Sequence, residues 1–207
     1  MKVLLINGSP RQNGNTAMAL AEMAKIFTEN GIEVETVQVG NQMIRGCIAC
    51  GRCRKEQLGK CVFDDAVNAI APKFEACDGL VIGSPVYYAS ANGTLISLLD
   101  RLFYSTSFDK SMKVGAAIAS ARRGGLTATF DQLNKYFTLS GMPVASGNYW
   151  NGVHGADAGE CEQDAEGMQT MRVVAKNMAF LIKSIDLGKK AFGLPEKEPK
   201  IRTNFVR

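Results

Sequence analysis

The sequence predicts an α/β protein, a doubly wound five-stranded parallel sheet with helices on both faces and strand order 2-1-3-4-5. Three observations carry this. Short apolar runs alternate with amphipathic segments along the whole chain. Loops rich in Gly, Ser and Asn follow the first, third and fourth of those runs, so they fall on one sheet edge. The 207 residues, 46% hydrophobic, suit one domain with an ample core.

Each element has its own signal. Lys2–Asn7 is a buried strand, stopped by Gly8-Ser9-Pro10. A helix over Asn15–Asn30 carries Ala17, Leu20, Ala21, Met23 and Ala24 on its apolar side and stops at Gly31, with Asn15 as its cap. Ile32–Val39 alternates as a strand. Asp64-Asp65 opens a helix to Ala76, the acids suiting its first turn. Gly79–Gly83 is a short buried strand, followed by a loop over Ser84–Asn92 and a leucine-striped helix over Gly93–Tyr104. Lys113–Ser120 is the fourth strand, and Leu126–Ser140 the helix after it. Pro143–Gly147 is the fifth strand, and Tyr149–Gln163 an irregular loop. A long helix over Asp164–Lys190 carries a core stripe from Met168 to Ile185, and a charged tail follows at 191–207. No repeat or linker divides the chain, so one domain over 1–207 is expected.

Composition excludes several classes. A net charge of +4 with scattered basic residues gives no nucleic-acid stripe. No apolar run is long enough to span a membrane, and Met1–Ile6 is too short for a signal sequence, so a cytoplasmic protein is expected.

Two groups of residues carry chemistry. The first is three loops on the ligand edge. Gly8–Thr16 reads as an anion cradle, with Ser9 and Thr16 hydroxyls, Arg11 and a helix N-terminus; it matches neither G-x-x-x-x-G-K-[ST] nor G-x-G-x-x-G. Gly83–Gly93 offers the flat faces of Tyr87 and Tyr88, and Ser120–Gly125 offers glycines that let backbone approach a planar ring. Taken singly, each loop also reads as an ordinary turn. The second group is Cys47, Cys50, Cys53 and Cys61, spaced C-x2-C-x2-C-x7-C in the loop at 46–63, with Gly59 helping the last gap turn. Four thiolates suit a [4Fe–4S] cluster, whose charge five nearby basic residues would offset. They also suit zinc, less well without two separated knuckles. Free reactive thiols are the third reading. Cys77 reads as core, and Cys161 carries no assigned role. His154, the only histidine, can donate a proton near neutrality or serve as a plain loop residue.

The GSPRQNGNT, GSPVYYASANG and SARRGG loops resemble those of the NAD(P)H-dependent FMN reductases of flavodoxin-like fold. With four cysteines after the second strand and Asp64-Asp65 following, the chain resembles their iron–sulfur flavoprotein subgroup, from Met1 to the Thr203-Asn204-Phe205 tail. The resemblance implies FMN phosphate at Ser9, Arg11, Asn13, Asn15 and Thr16. It implies ring contacts from Pro85, Val86, Tyr87, Tyr88, Arg122, Gly124 and Gly125, and a [4Fe–4S] cluster on the four cysteines. Here the last cysteine gap is long for that subgroup and no proline follows Cys61. The implied activity passes electrons from NAD(P)H to a quinone, a nitro or azo compound, a flavin or an electron carrier. A second role, favoured by the cysteine run, is electron transfer between ferredoxin-like partners; reactive thiols by themselves also allow a third, redox sensing. Homodimers or homotetramers are implied, with no nucleic-acid or membrane partner.

Overall fold

The computed structural model describes residues 1–203 and Phe205; Asn204 of the tail motif lies outside the described residues. β1 (Lys2–Asn7) is flanked by β2 (Glu33–Gln38) and β3 (Gly79–Tyr87), both parallel to it. β5 (Val114–Ala121) joins β3, and β6 (Gly152–His154) joins β5, again in parallel. The path β2-β1-β3-β5-β6 is the predicted doubly wound order, with the small strand β4 (Ser90–Ala91) off it, antiparallel to β3, and the short helix α2 (Arg52–Lys55) in the loop after β2.

The side-chain period of two divides β1 between two cores. Val3 and Leu5 face α1 (Asn15–Glu29) and α6 (Ala165–Phe192), with Met23, Phe27, Met171 and Met178. Leu4 and Ile6 face α3 (Ala66–Ala76), α4 (Gly93–Ser105) and α5 (Leu126–Leu139), with Phe74, Leu95, Leu99 and Phe137. Among the described residues, no helix is long and apolar enough to cross a membrane.

Four differences from the sequence reading bear on the site. The fifth strand is not Pro143–Gly147. Val144 makes only an isolated bridge to Gly115, and pairing resumes at Gly152–His154 against Ala119–Ala121. Between them the chain bulges outward, and the Asn151 side chain donates to Ala117 O at 3.0 Å in place of a ladder bond. The bulge exposes Tyr149 and Trp150. The third strand runs on to Tyr87 and turns into a hairpin rather than a loop. The acids Asp64-Asp65 lie outside α3, and Asp65 caps it, accepting from Val67 N at 3.1 Å. α1 is capped by Gly14 with no side-chain bond, so Asn15 is not the cap.

Asp164 caps α6, accepting from Gly167 N at 2.9 Å and His154 N at 2.7 Å. Burial pushes its carboxyl up, but these bonds and the His154 ring outweigh burial and hold it below the ordinary value. Its stabilising contribution is therefore full at neutral pH and is lost as pH falls below the ordinary aspartate range. Replacing Asp164 by Ala is expected to cost about 1 kcal/mol, the usual worth of an N-cap. The difference from wild type should shrink in acid, as read from denaturation midpoints.

Candidate functional site

The loops after β1, β3 and β5 meet at one edge of the sheet. In the first loop, Ser9 is buried; its N–H donates to Asn7 Oδ1 at 3.0 Å and its Oγ accepts from Arg11 N at 3.2 Å. Because Gly14 supplies no side-chain cap, the N–H groups of Asn15, Thr16 and Ala17 have no acceptor among the described residues. Three such donors at the N-terminus of a 15-residue helix form an anion cradle. Arg11 and Asn13 stand exposed beside it, with Arg11 Nη1 donating to Ala156 O at 3.3 Å. Asn15 and Thr16 are committed elsewhere. Asn15 Oδ1 accepts from Cys161 N at 3.2 Å, and Thr16 Oγ1 shares a buried 2.7 Å hydrogen bond with Ser120 Oγ. Their side chains brace the loop against its neighbours, and their backbone N–H groups are left without an acceptor among the described residues.

The residues that hold this loop were not legible in the sequence. Gln38 donates to Ser9 O and accepts from Asn7 Nδ2 at 2.6 Å. Asn92, the cap of α4, donates to Gly8 O at 2.7 Å. Gly40 backs the loop so closely that a Cβ there would lie 2.2 Å from Gly8 O. The Asn92-Gly93-Thr94 cap was the one signal that pointed to any of them.

In the second loop, Pro85, Val86 and Tyr87 lie on β3 and Tyr88-Ala89 forms a two-residue turn with both residues at positive φ, 50° and 58°. That geometry favours Gly or Asn, so Tyr88 is held there against its preference. Gln132 of α5 supplies the restraint, its Oε1 accepting from Ser90 Oγ at 2.8 Å and Ala91 N at 2.9 Å. Tyr88 is fully exposed and Tyr87 half-exposed. The third loop sets Arg122 and Arg123 in solvent. Gly125, at φ 98°, is not open toward a ring: a Cβ there would meet Val86 Cγ1 at 2.7 Å and Ala89 Cα at 3.0 Å. Gly124 has nothing within 4 Å and keeps the open approach.

Beside Gly124, a cavity of about 380 Å³ is lined by Arg123, Tyr149, Trp150, His154 and Asp164. His154 is half-exposed, with Nδ1 3.3 Å from Asp164 Oδ2. That carboxylate on Nδ1 steadies the ring beside the cavity.

Cys47, Cys50, Cys53 and Cys61 line one small concavity with apolar walls, including Ile48, Val62 and Phe63. Gly59, at φ 65°, turns the last gap as expected. Among the described residues, no three His, Cys, Asp or Glu side chains are gathered closely enough to hold a metal ion. The four thiols nevertheless line one concavity, and as a donor set four cysteines suit a [4Fe–4S] cluster or zinc. The basic neighbours are partly spent elsewhere: Arg52 pairs with Glu56 at 2.7 Å, and Arg54 stacks over Tyr104 at 5.0 Å. The cation that touches a sulfur is Arg101 of α4, which the sequence reading missed. Its side chain is 1% exposed and donates to Cys61 Sγ from Nε at 3.3 Å and Nη2 at 3.2 Å. Its place between Leu98 and Leu102 on the buried helix stripe was the available clue.

The remaining thiols are buried. Burial pushes Cys77 up to about 11, and burial also raises Cys161. In native protein free of bound metal, alkylation is expected to label the exposed Cys47 and Cys50 first, with Cys77 and Cys161 labelled only on unfolding. Peptide mass mapping against time checks the order.

A doubly wound parallel sheet whose loops after β1, β3 and β5 meet at one edge defines a flavodoxin-like fold. The chain belongs to the NADPH-dependent FMN reductase family, whose pattern matches residues 1–157. Flavin-dependent oxidoreduction is the chemistry of that family. It is 35% identical over 193 residues to an iron-sulfur flavoprotein of Methanocaldococcus jannaschii, covering 89% of this chain and 99% of the relative. It is 33% identical over 189 residues to the iron-sulfur flavoprotein of Methanosarcina thermophila, covering 89% and 97%. Within the family, its similarity is to the iron–sulfur flavoproteins. In fold it is similar to RosB, solved with a riboflavin-5′-phosphate derivative, at a TM-score of 0.71 and 15% identity over 100% of this chain and 92% of that one. An archaeal flavodoxin aligns at a TM-score of 0.60 and 13% identity over 88% and 99%.

Proposed function

We propose that this protein is an FMN-dependent oxidoreductase that carries electrons from NAD(P)H to a second acceptor, a quinone, a nitro or azo compound, a free flavin or an electron carrier. The observation that carries the reading is the uncapped start of α1, where three N–H groups lie beside the buried Ser9. These donors, with Arg11 and Asn13, would hold the FMN phosphate, while Asn15 and Thr16 brace the cradle. Pro85, Val86, Tyr87, Tyr88, Arg122 and Gly124 would meet the ring, with Gly125 keeping the hairpin in place. We read residues 1–207 as one FMN-binding domain carrying the cysteine loop and the tail.

When bound, FMN supplies both two-electron and one-electron chemistry. The chain's own residues bind, orient and protonate. Arg122 and Arg123 are exposed cations suited to a nucleotide phosphate. His154, steadied by Asp164 and lining the adjoining cavity, would hand a proton to the reduced acceptor. Tyr149 and Trp150 give that cavity aromatic walls for a planar acceptor. The exposed Tyr88, Trp150 and Phe180 are apolar surface suited to a homodimer or homotetramer, which light scattering tests.

A second reading, electron transfer between ferredoxin-like partners through a [4Fe–4S] cluster, is favoured by the four cysteines around one concavity. Cys47, Cys50, Cys53 and Cys61 would each hold one iron.

Protein purified without oxygen decides between them. FMN is expected to titrate to one per chain with NAD(P)H oxidation in the presence of an acceptor. No uptake of FMN would end the central claim. FMN uptake with reduction by ferredoxin alone would favour the second reading. Four irons and sulfide per chain establish the cluster; flavin bands alone remove it.

A further inference from the structure

We infer that Arg101 is the positioning and potential-setting residue of the cysteine site. Its fork of donors fixes Cys61 and keeps a positive charge on that sulfur. The inference rests on the reading that the four cysteines hold a [4Fe–4S] cluster.

Arg101 is a charged side chain buried at the floor of the cysteine concavity. A charge is buried only where partners make up for lost hydration. Arg101 has four kinds. Asp65 takes two bonds, from Nη1 at 2.6 Å and Nη2 at 3.0 Å. Arg45 O takes one from Nη1 at 3.2 Å. Cys61 Sγ takes two, from Nε and Nη2. The Phe63 ring lies 5.2 Å from the guanidinium carbon. Asp65 also caps α3, so the carboxylate that aims Arg101 is itself fixed by a helix end. The backbone of Cys61 is held as well: Asn68 of α3 accepts from Cys61 N at 2.9 Å and donates to Cys61 O at 3.0 Å. Cys61 is thus tied to two helices, whereas Cys47 and Cys50 are exposed on the loop. It is the anchored corner of the site.

The consequence is electrostatic. Cys47, Cys50, Cys53 and Cys61 would hold a cluster that supplies one-electron transfer. No bond to Cys61 forms or breaks, no proton moves, and the reduced form carries one more negative charge. A fixed cation donating to a ligand sulfur, away from water, favours that form and raises the potential. Lysine keeps the charge but not the planar fork that reaches Asp65 and Cys61 together.

The test is anaerobic redox titration of FMN-loaded protein, followed by electron paramagnetic resonance with iron and sulfide analysis. Arg101→Gln is expected to shift the reduced-to-oxidised ratio at fixed potential toward oxidised by at least tenfold, which is 59 mV for a one-electron couple. Arg101→Lys should fall between Arg101→Gln and wild type. Asp65→Asn keeps an acceptor for the α3 cap but removes the carboxylate that offsets the Arg101 charge, and should shift the ratio the opposite way, toward reduced. If Arg101→Gln does not fold, Asp65→Asn and Arg101→Lys decide. Iron-loaded variants with the wild-type midpoint overturn the inference while leaving the cluster standing. Wild-type protein with FMN but no iron or sulfide overturns the cluster reading and the inference with it.

Discussion

Gly40→Ala is expected to abolish tight FMN binding while leaving the sheet intact. A Cβ at this position would lie 2.2 Å from Gly8 O, 2.2 Å from the Ser9 carbonyl carbon and 2.4 Å from Ser9 O. All three are backbone atoms of the anion cradle, so no side-chain rotation relieves the clash. Overpacking costs about 1–3 kcal/mol and occasionally more. The loop is further pinned by Gly8 N to Gly83 O at 2.8 Å and Asn92 Nδ2 to Gly8 O at 2.7 Å. Displacing it therefore moves the N–H groups off a common point. We expect the FMN Kd to rise at least tenfold, about 1.4 kcal/mol, with a fall in thermal midpoint. Gly93→Ala, at a site with nothing within 4 Å, serves as the control for adding a methyl group. Wild-type FMN affinity in Gly40→Ala, measured by fluorescence titration, would show that the cradle is not where FMN is held.

The second large effect separates two adjacent glycines. Gly125→Ala must place an L-residue at φ 98° and drive its Cβ to 2.7 Å from Val86 Cγ1 and 3.0 Å from Ala89 Cα. The left-handed conformation alone costs roughly 1–2 kcal/mol. The clash also pushes the Tyr88-Ala89 turn, already at unfavourable φ, away from the β5 loop. A fall of about 2–4 kcal/mol in FMN-free stability is expected, from the sum of strain and overpacking. Gly124→Ala should leave FMN-free stability unchanged, because the added methyl meets nothing. A loss of FMN affinity in Gly124→Ala without a loss of stability would identify it as the glycine that the ring approaches. Equal stabilities for the two variants, read by urea denaturation, would remove the packing role of Gly125.

The fold was legible because its signals are local and repeated. Apolar runs such as Val3–Ile6 and Leu80–Ile82, glycine stops and the striped helices each needed only near neighbours to be recognised. The fifth strand was misread because Pro143–Gly147 has strand composition, while the pairing that decides strandedness comes from β5. Local pattern cannot report that Asn151 replaces a ladder bond with its side chain. The same limit applies to the site. Ser9 and Arg11 carry a recognisable motif, but Asn15 and Thr16, in that same motif, turn to partners at Cys161 and Ser120, more than one hundred residues away.

By itself the sequence determined the layered α/β order, the three loops on one edge, the four-cysteine run and the kinship with iron–sulfur flavoproteins. These depend on residue type and spacing along the chain. Only the tertiary structure decided which donors stay free, which of two glycines is packed, and which cation among many basic residues reaches a sulfur. Those outcomes depend on burial and on bonds between distant segments. Arg101 is forty residues from Cys61 in sequence, and folding α4 against α3 sets its guanidinium 3.2 Å from the sulfur.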